Sequence, residues 1–171
     1  MVIDAFKFAR LGLNGERVLN GNRPTAEFLR LCQDLPDHQD GLIKWQLTGS
    51  HNPSTGFAWL SIKAQGNVLV SCQRCLKPFT YHLNVDNKLR LLADAAQLEE
   101  LEKLESEGVG VDYEYVVASQ HFDIMQLLED ELILVLPFAP KHDDCPSLDQ
   151  TEPVKLAKKS PFAVLEQLKK P

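Results

Sequence analysis

The sequence predicts an α+β fold: a mostly antiparallel β-sheet meander, able to curl toward a barrel, with one amphipathic helix and a C-terminal tail helix. Two observations carry that expectation. Between Ile43 and Val117 apolar and polar residues alternate in short runs separated by turn formers, the pattern of strands buried on one face. From Asp123 the period changes, and Ile124, Leu127, Leu128, Leu132 and Val135 recur at spacings of three and four, the apolar stripe of a helix. A chain of 171 residues, 44% of them hydrophobic, is enough for one real core.

In order along the chain, Val2 to Arg10 reads as a short strand, although its alternation is weak. Thr25 to Cys32 reads as a short helix, with Thr25 as N-cap and Phe28, Leu29 and Cys32 at helical spacing. Ile43, Trp45 and Leu47 alternate with Lys44, Gln46 and Thr48, and the turn-rich stretch from His51 to Gly56 follows. Phe57 to Gln65 then reads as a strand, Gly66-Asn67 as a two-residue hairpin turn, and Val68 to Cys72 as the returning strand. Phe79, Tyr81, Leu83 and Val85 alternate in turn, so the last connection of the meander is Cys72-Gln73-Arg74-Cys75. Leu98 to Glu107 fits a polar helix or a solvated excursion closed by Gly108 and Gly110, and Val111, Tyr113, Tyr115 and Val117 mark another strand. Asp123 can cap the helix that follows, Gln126 holds the capping-box position, and Pro137 ends it after Leu136.

These elements place one α+β domain over residues 1–140, a polar linker over 141–159 and a docking helix over 160–171. Ser160-Pro161 suits the start of that helix, and Phe162, Leu165 and Leu168 share its apolar face. A helix of about ten residues is marginal alone in water. Those three side chains are therefore candidate docking contacts, on the domain itself or on a partner.

Charge and composition narrow the function. From Asp94 to Glu131 twelve acidic residues face one lysine, a balance of −11 within a net charge of −6, so the rest of the chain carries +5. No field spreads over the whole molecule to draw it onto any nucleic acid. Local basic residues remain, and Arg74, Lys77, Lys88 and Arg90 are the candidate contacts to RNA or a partner. Phe79 and Tyr81 stand beside the first two, where they would stack on bases if they did not face the core. No run approaches the ~20 apolar residues of a membrane span, and Met1 to Arg10 lacks the apolar stretch of a secretory signal. A soluble cytoplasmic protein with no membrane partner is expected. Five dispersed histidines and the lack of Walker, G-x-G-x-x-G, G-x-S-x-G or H-E-x-x-H patterns point to neither an enzyme nor a small-molecule substrate. Glu129-Asp130-Glu131 spreads over most of a helical turn and reads as a solvated face.

The sharpest local feature is the pair Cys72 and Cys75. Two cysteines at this spacing can hold one tetrahedral zinc, and a structural site wants four protein ligands. His142 and Cys145 form the chemically suitable second pair, so these four residues are the candidate metal ligands, with zinc the candidate cofactor. Two other readings stay open: reduced cysteines that close a hairpin turn, and a redox pair. Such a knuckle commonly has a glycine to relieve the turn, and here Leu76 follows Cys75.

The block Ser71-Cys72-Gln73-Arg74-Cys75-Leu76-Lys77-Pro78-Phe79 resembles the signature of the bacterial YceD proteins. So do Leu127 to Pro137 with Pro140, His142 and Cys145, and the ending Ser160 to Leu168, in the family's order. The resemblance implies a ribosome-biogenesis role in the synthesis, processing or stability of 23S ribosomal RNA, with no catalytic residue to carry over. The expected partner is then ribosomal RNA, or a ribosomal or RNA-processing protein for which this chain is an adaptor. A zinc- or thiol-dependent regulator is the remaining alternative.

Overall fold

The structure is a computed structural model that describes residues 1–10, 16–108 and 113–143. Its elements are β1 (Val2–Ile3), α1 (Ala5–Arg10), β2 (Glu16–Pro24), a 3-10 turn (Thr25–Glu27), α2 (Leu29–Cys32), β3 (Leu42–His51), β4 (Ala58–Ser71), β5 (Pro78–Leu92), α3 (Ala95–Ser106), β6 (Glu114–Val117), β7 (Phe122–Asp123) and α4 (Ile124–Leu134). The main sheet has the order β2-β3-β4-β5-β6, antiparallel except for the parallel pair β5–β6. It is open, with β2 and β6 at its edges, and not a closed barrel. The α+β class and the antiparallel meander hold.

Strand β4 organises the molecule. Its even-numbered residues from Ala58 to Val70 point inward without a break, and Leu60, Ile62, Ala64, Val68 and Val70 are all buried. The inward phase runs straight through Gly66, so no turn forms at Gly66-Asn67 and the two expected strands are one. Gly66 is there for closeness: a Cβ at this position would lie 2.7 Å from the Leu42 carbonyl oxygen and 2.4 Å from Ile43 Cδ1. Against this inner face pack Phe8 and Ala9 of α1, Leu31 of α2, and Ile124, Leu128 and Leu132 of α4. The opposite face is polar, with direct cross-strand pairs such as Lys63–Asp86 (3.1 Å) and Gln65–Asn84 (3.1 Å).

The β4–β5 ribbon runs past the start of β3, because β3 pairs with β4 only from Gln65 to Ala58 while β5 pairs as far as Ser71. The exposed β4 edge is finished by side chains. Gln39 donates to the Leu69 carbonyl (2.9 Å) and accepts from the Leu69 N–H (2.8 Å), standing in for a strand residue. Thr25 donates to the Asn67 carbonyl (3.2 Å), so it serves the sheet and does not cap a helix.

Near the N-terminus the structure corrects the sequence reading. Only Val2 and Ile3 are strand, paired with Phe122 and Asp123, and Ala5–Arg10 is helix. Asp4 accepts from the Lys7 N–H (2.9 Å), a first-turn bond that a strand reading overlooks, and Ala5, Phe8 and Ala9 bury at helical spacing. The expected helix at Thr25–Cys32 is broken at Phe28, whose φ of −89° and ψ of 85° separate the 3-10 turn from α2. Strand β2 has no clear alternation and went unread. The acidic stretch forms α3, capped by Asp94 and with no buried residue, and α4 carries the expected Asp123 cap, accepting from Met125 N–H at 2.9 Å. The linker beyond Asp143, the tail helix with Phe162, Leu165 and Leu168, and Val111 lie outside the described residues.

Candidate functional site

Two places combine chemistry with geometry, at opposite ends of the β4–β5 ribbon. At the tip, the inward phase of β4 continues into the turn and buries Cys72. The Cys72 N–H donates to the Lys77 carbonyl (3.0 Å) and the Leu76 N–H to the Cys72 carbonyl (2.9 Å), which draws the turn tight. Leu76 closes it at φ 61°, in the left-handed region that glycine usually occupies. Inside the turn the Arg74 N–H points at Cys72 Sγ (3.4 Å).

The chain leaving α4 returns to this tip. Gln73 N–H donates to the Pro140 carbonyl (2.9 Å), and Arg74 Nη2 donates to the carbonyls of His142 and Asp143, each at 3.4 Å. The His142 ring packs on Phe79 with centroids 5.2 Å apart and sets Nε2 3.7 Å from Cys75 Sγ. Donor atoms of Cys72, Cys75 and His142 thus lie within 4.8 Å of one another. The two sulfurs are not joined in a disulfide. His142 Nδ1 is buried and finds no hydrogen-bond partner among the described residues. Three of the four residues singled out as metal ligands therefore meet, and Cys145 lies outside the described residues. A pair of thiols and an imidazole can do metal coordination, since each offers a donor that zinc favours.

At the other end, on the outer face of the sheet, an open cleft of about 880 Å³ is lined by Trp59, Asn87, Lys88, Glu105, Tyr113, Glu114 and Tyr115. Register builds it: Trp59 pairs directly with Arg90 and Ser61 with Lys88, so both cations share the outer face with the indole. Lys88 Nζ is 4.9 Å from the Trp59 ring centroid, and Tyr113 meets Trp59 edge-on at 5.4 Å. Arg90 is stacked 3.5 Å over Phe57 and hydrogen-bonds the Tyr113 hydroxyl, which commits it to positioning those rings. Lys88 stays exposed. Glu105 accepts from the Tyr115 hydroxyl (3.2 Å), and burial together with that bond pushes the Tyr115 phenol above its ordinary pKa.

The four basic residues read from the sequence form two pairs, not one patch. Lys77 and Lys88 are separated by eleven positions of β-ribbon, roughly 35 Å at ~3.3 Å per residue. Phe79 and Tyr81 are half-buried and pack against the core, and Phe79 is taken up by the His142 ring. Sequence reading missed Trp59 and Tyr113 as site residues. The outward phase of Trp59 was legible within Phe57 to Gln65, where odd positions face outward, but its meeting with Tyr113, which lies outside β4, was not.

The acidic run on α4 is not a solvated face. Glu129 accepts from the backbone N–H groups of Arg30 (2.7 Å) and Leu31 (3.2 Å), capping α2 from another element, and Asp130 pairs with Arg30 at 2.6 Å. Glu131 is buried and takes the Asn87 amide at 3.0 and 3.2 Å.

Among the described residues no helix is long and apolar enough to cross a membrane. No solved structure matches the chain. A curated relative, the large ribosomal RNA subunit accumulation protein YceD of Haemophilus influenzae, is 33% identical over 117 residues, which cover 63% of this chain and 63% of the relative. The profile of the family described as large ribosomal RNA subunit accumulation protein YceD matches residues 60–169, a span that takes in the thiol–imidazole cluster and the cleft apart from Trp59. With well over half of its length inside that match, and both sites built largely from the matched span, the chain belongs to the YceD family.

Proposed function

We propose that this chain supports accumulation of large-subunit ribosomal RNA as a non-catalytic binding protein, meeting unpaired bases of 23S ribosomal RNA in the outer-face cleft. The observation that carries this reading is the union of three aromatic rings, Trp59, Tyr113 and Tyr115, with the exposed Lys88 ammonium in one open cleft. Unpaired bases stack on such rings for ~1–3 kcal/mol each, whatever their sequence. Lys88 supplies a phosphate contact. Glu105 and Glu114 repel phosphate but accept from base amino groups, so they direct bases and not backbone into the cleft. The name of the relative and the description of the family support the ribosomal RNA part of the reading.

The test is binding of single-stranded 23S fragments by the full chain across a salt series. Trp59→Ala should weaken every fragment by roughly 5- to 150-fold. Lys88→Ala should flatten the salt dependence by ~0.7 in log–log slope, the loss of one single-strand phosphate contact. Arg74→Ala is unsuitable here, because it also removes the contacts to His142 and Asp143. Unchanged affinity in the Trp59→Ala, Lys88→Ala double variant moves the reading to an adaptor that presents the exposed acids of α3, such as Glu99, Glu100 and Glu102, to a basic ribosomal or RNA-processing protein.

A further inference from the structure

We infer that Cys72, Cys75 and His142 bind one zinc ion, which clamps the chain leaving α4 onto the tip of the β4–β5 ribbon. The donor spacing suits the metal. Zinc bonded at ~2.3 Å to sulfur and ~2.0 Å to imidazole nitrogen in a tetrahedral shell holds a sulfur and a nitrogen about 3.5 Å apart. Cys75 Sγ and His142 Nε2 are 3.7 Å apart, and no pair among the three donor atoms exceeds 4.8 Å. Closing the shell therefore takes side-chain movements of about 1 Å or less. The fourth position is left to water or a further donor.

The same molecule holds a second copy of this turn without cysteine, and the comparison separates metal binding from turn making. Between β3 and β4, the Asn52 N–H donates to the Phe57 carbonyl (2.9 Å) and the Gly56 N–H to the Asn52 carbonyl (2.8 Å). Ser54 N–H donates to Asn52 Oδ1 (3.0 Å), and Gly56 sits at φ 72°. Each bond has its counterpart at the ribbon tip, with Cys72 in the place of Asn52, Cys75 in the place of Thr55 and Leu76 in the place of Gly56. Asparagine and glycine thus suffice for this turn, and the tip uses neither. It keeps a leucine in a left-handed conformation that costs about 1–2 kcal/mol. A hairpin closure alone does not call for two cysteines, and it does not bring an imidazole from 67 positions away to within 3.7 Å of one of them. The Arg74 N–H aimed at Cys72 Sγ holds that sulfur inside the turn, within 4.8 Å of the other two donor atoms. On binding, the two thiols give up their protons to solvent and no redox step is involved.

Full-length protein made and purified without chelator should carry zinc in equimolar amount by elemental analysis. Cobalt added to the stripped protein should give thiolate-to-metal charge-transfer absorption with the visible bands of a tetrahedral site. Cys72→Asn with Leu76→Gly installs the residues that the other turn uses, so the variant should keep the wild-type circular dichroism and lose the metal. His142→Ala should bind at least about tenfold more weakly, and Cys32→Ser should bind as wild type. Only traces of zinc with no cobalt–thiolate band would overturn the site, as would equimolar zinc in the Asn/Gly variant or a Cys72–Cys75 disulfide in freshly isolated protein. Unchanged affinity in His142→Ala would remove the clamp.

Discussion

Glu131 shows how burying one carboxyl makes part of the stability depend on pH. Burial pushes its carboxyl above the ordinary glutamate range; the Asn87 hydrogen bonds oppose that shift, and Glu114 and Asp130 reinforce it. A carboxyl whose pKa is higher folded than unfolded binds more protons when folded, so its contribution to stability falls as pH rises from the ordinary range through the raised value. Glu131→Gln keeps an acceptor for Asn87 and removes the charge. The stability gained by this variant over wild type should grow as pH rises from the ordinary glutamate range of about 4 through the raised value and then level off, read from urea midpoints along a pH series. A difference that does not vary with pH would show that Glu131 is not the titrating group. Leu76 is the second case. It is 77% exposed and left-handed, so glycine there relieves backbone strain without losing buried surface. Set against the greater freedom of glycine in the unfolded chain, Leu76→Gly should stabilise by roughly 0.5–1 kcal/mol, measured by chemical denaturation.

Among the elements, the β4–β5 ribbon depends on side chains from loops to close its edge. Gln39 makes both of its Leu69 contacts from a largely buried position. Gln39→Ala should leave the Leu69 N–H and carbonyl unsatisfied and cost about 1–3 kcal/mol. Amide exchange should accelerate first in the outer ribbon, from Asn67 to Tyr81. Uniform acceleration over the whole sheet would mean that the ribbon end does not open by itself. Sequence reading recognised the alternation of this region but divided β4 at Gly66-Asn67, a dipeptide that suits a tight turn. It did not show that β3 crosses so close to Gly66 that a side chain has no room. The same dipeptide serves a turn or a close crossing, and the neighbouring strand selects between them.

For the molecule as a whole, the two longest helices among the described residues have opposite standing. α4 buries Ile124, Leu128 and Leu132 in the core, whereas α3 buries nothing and touches the sheet at β5. Leu128→Ala should cost about 2–5 kcal/mol and lower the thermal midpoint of the entire domain. Amides of α3 should exchange through local opening well below the global stability, and their rates should hardly change in that variant. Parallel acceleration of α3 and the core in Leu128→Ala would instead make them one cooperative unit.

The α+β class, the antiparallel meander, the cap at Asp123 and the cysteine pair were legible in the sequence, because each rests on a local signal: a period of two, a period of three to four, a capping residue or a fixed spacing. The meeting of His142 with Cys75, the capping of α2 by Glu129, and the cleft that joins Trp59 to Lys88 and Tyr113 were decided by tertiary structure. Each joins residues far apart in the chain, and their approach depends on strand register and on the path of the chain after α4. Periodicity reports which way a side chain points, while only packing decides what it meets there.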